Sequence, residues 1–208
     1  AEVTPTTALP HDREPAIEAA MKIPVLLSAL AVLTACIGAA PATAEPIVVV
    51  SPQPLPIDND RPRVFLGGSI DMGGAPDWQA ALTQALSDMD VTVLNPRRAD
   101  WNPAWRPEAD EPEFQHQVEW ELAALESADV IVMYFAPGTQ SPISLLEMGL
   151  HARGGKLIVL APEGFWRKGN VDITARAYGV RQVQTMDELT AAVRQALSEA
   201  AARGRFAR

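Results

Sequence analysis

The chain has 208 residues, with 17 Lys+Arg against 26 Asp+Glu and a formal net charge of -9. Length and an ordinary globular composition describe one domain with some extra chain, and the missing basic footprint argues against nucleic-acid binding. One cysteine excludes an internal disulfide framework, and three histidines without a His-x-x-x-His pair give a metal site little support.

Residues 1–62 read as a region apart from the domain. Ala1 to Ala20 is polar, carries Pro5, Pro10 and Pro15, and has no usable period, so a tail is expected. Met21-Lys22 precedes the apolar run Ile23 to Ala35 and Cys36, followed by small residues. That is the form of a secretory leader over 21–44. The run is shorter than the ~20 apolar residues that a bilayer span needs. Leu33-Thr34-Ala35-Cys36 resembles the lipobox of bacterial lipoproteins, which would make Cys36 a lipidation site and membrane anchor. Ala42-Thr43-Ala44 is a second cleavage candidate. Export or membrane anchorage follows from that reading; a start site assigned too far upstream would account for the residues before Met21. The alternative is a short apolar helix with an incidental cysteine, in a cytoplasmic protein. Pro46 to Pro62 carries five prolines between short apolar pieces and reads as a linker.

The domain is expected over 63–208, where strand and helix signals alternate. Val64 to Leu66 is a short strand running into Gly67-Gly68-Ser69. Trp78 to Met89 has helical spacing, with Trp78, Ala81, Leu82 and Leu86 on one face. Val91 to Leu94 is the second strand, Glu113 to Ser127 a helix, and Val130 to Phe135 the third strand. Ser141 to Ala152 is a helix with Ser141 as N-cap and Pro142 in the first turn. Leu157 to Leu160 is the fourth strand, Asp172 to Tyr178 a weak helix, Val180 to Val183 the fifth strand, and Asp187 to Ala202 a final helix. This alternation predicts an α/β three-layer sandwich with a five-stranded parallel sheet in the flavodoxin-like order 2-1-3-4-5. Ligands in such folds bind beyond the carboxyl ends of strands 1 and 3, so Gly67 to Asp77, Asn95 to Pro112 and Ala136 to Gly149 are the informative segments.

The glycine-rich turn Gly67 to Gly74 follows strand 1, and its glycines allow close approach of a ligand or simply a tight turn. It matches neither a Walker loop nor the dinucleotide fingerprint, and no cofactor is expected. Glu147 lies among Ile143, Leu146 and Leu150, and helical side chains lean toward the N-terminal, crevice end. A carboxylate in apolar company is costly unless it has a partner or a task. Glu121 is a second case, on the stripe Phe114, Val118, Glu121, Leu125, with Gln117 one turn before it. Either glutamate also fits a helix-edge charge satisfied by a neighbour. The long loop from Asn95 to Pro112 carries Arg97, Arg98, Trp101 and Trp105. It reads as a lid, with arginine for oxygens and tryptophan for a flat base, or as a loop pinned by its own tryptophans.

Together these segments resemble the nucleoside 2-deoxyribosyltransferase-like family. The matching stretches are Val64-Phe65-Leu66-Gly67-Gly68-Ser69-Ile70, Asp77-Trp78, Asn95-Pro96-Arg97-Arg98, Gln117-Val118-Glu119-Trp120-Glu121, Ala128-Asp129-Val130 and Ser141-Pro142-Ile143-Ser144-Leu145-Leu146-Glu147-Met148-Gly149. The resemblance runs from about Arg63 to Tyr178. It implies a flavodoxin-like sheet and cleavage of the N-glycosidic bond of 2-deoxynucleosides, with transfer to another base or to water. It implies Glu147 as nucleophile and Glu121 as the assisting acid; Asp71, where this chain departs from the family's pattern, is the other candidate for carrying the proton. It further implies substrate contacts from Gly67, Gly68, Ser69, Asp77, Trp78, Arg97, Arg98, Trp101 and Ser141, with Asn170 as a contribution from a neighbouring subunit of a homo-oligomer. Related 5'-monophosphate N-glycosidases have arginine where Asp71 stands, so a nucleoside or nucleobase is the expected partner rather than a nucleotide. The alternative is a non-catalytic nucleoside- or nucleotide-binding module of the same fold.

Overall fold

Six short strands build one parallel sheet in the computed structural model, which describes residues 45–57, 60–70 and 74–206. The chain divides into two units, Ala1–Ala39 and Ala40–Arg208, and the described residues all belong to the second. The tail, the leader with Cys36, and Asp71 lie outside the described residues. The strands are β1 (Ile47–Val50), β2 (Arg63–Gly68), β3 (Thr92–Asn95), β4 (Val130–Tyr134), β5 (Leu157–Leu160) and β6 (Arg181–Val183). Their order is β1-β3-β2-β4-β5-β6. Without β1 this is the expected 2-1-3-4-5 arrangement. The expected five strands are therefore six, and the additional one comes from the stretch read as a linker. β1 pairs with β3 from Ile47↔Thr92 to Val50↔Asn95.

Alternation along each strand sends side chains to two cores. Phe65, Leu94, Ile131, Met133 and Val159 face one side. There they meet Trp120, Ala124 and Leu125 of α2 (Pro112–Ser127), Met148 and Ala152 at α3 (Pro142–His151), and Val171 and Ala175 of α4 (Lys168–Tyr178). Val64, Leu66, Val93, Val132, Ile158 and Leu160 face the other, under α1 (Trp78–Ala85) and α5 (Met186–Phe206). Each fully buried Leu or Phe is worth ~1.5–3 kcal/mol over exposure, and β5 is buried along its whole length.

The helices differ from expectation in three places. α1 stops at Ala85, because Leu86 closes its last turn with N–H bonds to Gln84 and Thr83 carbonyls. α4 is longer than the expected weak helix, starting at Lys168 and ending at Gly179 in the left-handed region. On α2 the buried line runs through Gln117, Trp120, Ala124 and Leu125, while Phe114 and Val118 are only half-buried. Among the described residues no helix is long and apolar enough to cross a membrane.

Candidate active site

The strand order reverses between β2 and β4, and their carboxyl ends open a crevice there. The two strands approach closely because β2 ends in glycine. A Cβ on Gly67 would lie 2.8 Å from the Met133 sulfur, and one on Gly68 would lie 2.2 Å from the Tyr134 carbonyl oxygen. Gly68 also holds φ at +134°, a region L side chains rarely adopt. These two glycines thus serve strand packing.

Ser69 follows, almost fully buried, and ties the β2 end to the loop after β4. Its hydroxyl lies 2.7 Å from that of Thr139 and 2.6 Å from that of Ser141, and it accepts the Ala136 N–H at 2.9 Å. Ser141 occupies the N-cap position of α3, but its side chain caps no N–H. It sits instead at φ +44° with its hydroxyl turned to Ser69. A non-glycine residue in that region is held there by its surroundings. Trp78 is buried and donates its indole N–H to the Ser69 carbonyl at 3.0 Å. Asp77 caps α1, accepting the Ala80 N–H at 3.0 Å.

The two glutamates come from neighbouring helices on one face of the sheet. Glu147 of α3 is 7% exposed, and its carboxyl makes no hydrogen bond to another described residue. Burial, together with the charge of Glu121, pushes its carboxyl up to about 8. Glu121 of α2 is also raised by burial, opposed by the Gln117 side chain, which donates to it at 2.9 Å. α3 thus carries an acid held toward its protonated form, and α2 an acid whose burial is partly offset by a hydrogen bond to its carboxylate. The apolar neighbours that singled out Glu147 in the sequence do not enclose it. Ile143, Leu146 and Leu150 point to solvent, with 57–61% exposure, and Glu147 is buried at the edge of their stripe.

The loop after β3 is organised by its arginines. Arg97 donates to the carbonyls of Pro76 and Ala75 at 3.2 Å each and lies 3.8 Å from Asp77, so it braces the β2–α1 turn. Arg98 forms a two-pronged pair with Asp100 at 2.7 and 2.8 Å and lies over the Trp105 ring at 4.9 Å. Trp105 meets Trp101 edge-on at 5.2 Å. Both arginines are engaged by protein groups, and both tryptophans by each other and Arg98.

Asn170 lies elsewhere. It lines a cavity of about 420 Å³ between α3 and α4, with Pro142, Leu145, Met148, Gly149 and Trp166 among its walls. Glu147 is not among them. Among the described residues no group of three His, Cys, Asp or Glu side chains could hold a metal ion.

Two contributors were not singled out by sequence as site residues. Gln117, 4% exposed, also donates to the Pro96 carbonyl at 3.1 Å. Ser51, at the end of β1, donates to the Gln117 side-chain oxygen at 2.6 Å. The available signal was Gln117 one turn before Glu121; nothing local marks Ser51, which reaches the site only through the pairing of β1 with β3.

Comparison with known proteins adds the following. Residues 61–165 match the family described as nucleoside 2-deoxyribosyltransferase like. A crystal structure of a conserved protein from Enterococcus faecalis V583 is similar, with a TM-score of 0.49 and 13% identity over 65% of this chain and 98% of that one. No curated protein matches.

Proposed function

The chain belongs to the nucleoside 2-deoxyribosyltransferase-like family, and from that premise we propose that it cleaves the N-glycosidic bond of 2-deoxynucleosides through a sugar ester on Glu147. The carrying observation is the pair formed by buried Glu147 and half-buried Glu121, in which the charge of Glu121 acts on the Glu147 carboxyl.

Departure of the base builds positive charge on the sugar. A carboxylate beside C1' stabilises that charge and then forms the C1'–O bond as the C1'–N bond breaks. The base must leave with a proton. Burial and the charge of Glu121 favour a proton on Glu147 in the free protein. Passing it to Glu121, and from there to the base, leaves Glu147 anionic when the positive charge appears. A second base or water then opens the ester, giving transfer or hydrolysis. Asp71 remains a further proton carrier on sequence grounds alone.

A nucleoside suits this crevice better than its 5'-monophosphate. It sets two acids at the reacting end, and Arg97 and two of the three guanidinium nitrogens of Arg98 already face protein oxygens. Ser141, half-buried, is the sugar-hydroxyl contact of this proposal, with buried Ser69 fixing its hydroxyl from behind, and the Trp101–Trp105 pair offers a face for the base. A homo-oligomer is part of the proposal, supported by the exposed stripe Ile143, Leu146 and Leu150. Export or anchorage through Cys36 rests on the leader alone.

Incubation with a set of deoxynucleosides, followed by chromatography for free base, tests the reading. Base release supports it. A shift in melting temperature with nucleoside but no base release identifies a binding module instead.

A further inference from the structure

We propose that Ser51 and Gln117 are positioning residues: they hold an N–H against Glu121, and so assign the pair's negative charge to Glu121 and its proton to Glu147. The inference rests on reading Glu121 and Glu147 as the working pair.

Gln117 is buried, and every polar atom of its side chain is used. Its amide nitrogen donates to the Pro96 carbonyl at 3.1 Å and to Glu121 at 2.9 Å, while its oxygen accepts the Ser51 hydroxyl at 2.6 Å. The orientation is determined by chemistry. A flipped amide would set its oxygen against a carbonyl and a carboxylate, both acceptors, losing two bonds and creating two repulsions. An N–H held this way favours the ionised form of Glu121, because a hydrogen bond to a charged acceptor is about twice as strong as a neutral one. Ser51 completes the set. Without its hydroxyl the buried amide oxygen is unpaired, and an unsatisfied buried acceptor carries its full desolvation penalty. That cost falls on the orientation that serves Glu121.

The anchoring of Ser51 explains its reach. Its N–H continues the β1–β3 ladder to the Asn95 carbonyl at 3.1 Å. Two residues on, the Gln53 carbonyl accepts the Trp120 indole N–H at 2.7 Å. The end of β1 therefore grips α2 at two successive turns, at Gln117 and Trp120. Ser51 lies before the 61–165 stretch that matches the family.

Among the described residues the following groups face Glu121. From α2 there is Gln117, and from α3 there is Glu147, whose carboxyl the Glu121 charge holds up. From the end of β3 there is the Pro96 carbonyl by way of Gln117; the next residues, Arg97 and Arg98, are turned to Ala75, Pro76, Asp77 and Asp100.

The test is carboxyl ¹³C NMR titration of the full chain labelled at glutamate, with the two resonances assigned through Glu121→Gln and Glu147→Gln. In the wild type Glu121 should titrate below Glu147. Ser51→Ala and Gln117→Met should move the Glu121 midpoint up by about one pH unit, narrowing or inverting the order. Ser51→Thr, which keeps the hydroxyl, should retain the wild-type order. A merely structural role would lower the melting temperature and leave both midpoints in place. Unchanged midpoints in folded Ser51→Ala and Gln117→Met, or a wild type in which Glu147 titrates first, would overturn the proposal. Base release is scored separately. Shifted midpoints without base release sustain the brace and defeat the proposed reaction; base release with unmoved midpoints does the reverse.

Discussion

Glu121 on α2 and Glu147 on α3 act on each other electrostatically: the charge of the first, added to burial, holds the carboxyl of the second near 8. Neither helix alone would do this. The sheet brings them together at the point where its strand order reverses, and the same field that makes Glu147 hard to ionise makes its anion a strong nucleophile once formed.

Glu147 should therefore cost stability as pH rises. Its folded carboxyl titrates near 8 against an ordinary 4.5, so between those values the native state binds the extra proton. Stability from this group is complete below about 4.5, falls by ~1.4 kcal/mol per pH unit above it, and levels off above about 8. Glu147→Gln removes the titration. Denaturant unfolding should show the variant near wild type at pH 5 and more stable at pH 8; equal differences at both pH values would contradict this.

The kinetics report the same proton. If the proton held on Glu147 is the one that leaves with the base, kcat/KM for base release should be level just below about 8 and fall tenfold per pH unit above it. A profile that rises through the same region would mean that the pair must lose this proton before Glu147 attacks.

The loop after β3 should be stiffened by its aromatic pair. Trp105→Ala removes the ring under Arg98 and the edge contact to Trp101. Such contacts are worth ~0.5–1.5 kcal/mol each. Limited proteolysis should cut the variant faster between Arg98 and Pro112, and KM should rise more than kcat falls. Unchanged cleavage and KM would return the loop to a passive surface element.

The glycines of the site divide sharply. Gly68→Ala places a methyl 2.2 Å from the Tyr134 carbonyl, whereas Gly149→Ala on α3 meets nothing within 4 Å. Circular dichroism should show Gly68→Ala unfolded or insoluble. Gly149→Ala should fold and gain ~0.5–1 kcal/mol, as expected for a helical glycine.

Much of this architecture was legible as spacing. Five strands separate cleanly because Val64–Leu66, Val91–Leu94 and their successors are apolar runs with helical periods between them, and their order followed from right-handed crossovers. β1 escaped because Ile47 to Val50 sits between Pro46 and Pro52 at the sheet edge, where Ile47 and Val48 remain about 40% exposed. That omission also concealed Ser51. Glu147 was found through its apolar neighbours, although these face solvent and it is the glutamate that is buried. Arg97 and Arg98 read equally well as ligand contacts or loop braces, because a sequence shows the charge and not the Pro76 carbonyl or the Asp100 carboxylate that receives it.

The central claim is that Glu147 carries the sugar. Incubation with a slow 2-fluoro-2-deoxynucleoside, followed by intact-mass and peptide mass spectrometry, tests it most directly. One fluorinated deoxyribosyl unit should be added per chain, on the peptide containing Glu147 and at that residue, with no addition in Glu147→Gln and base release by that variant reduced by orders of magnitude. A label on Glu121 or elsewhere, or a Glu147→Gln variant that frees base at the wild-type rate, would contradict the account.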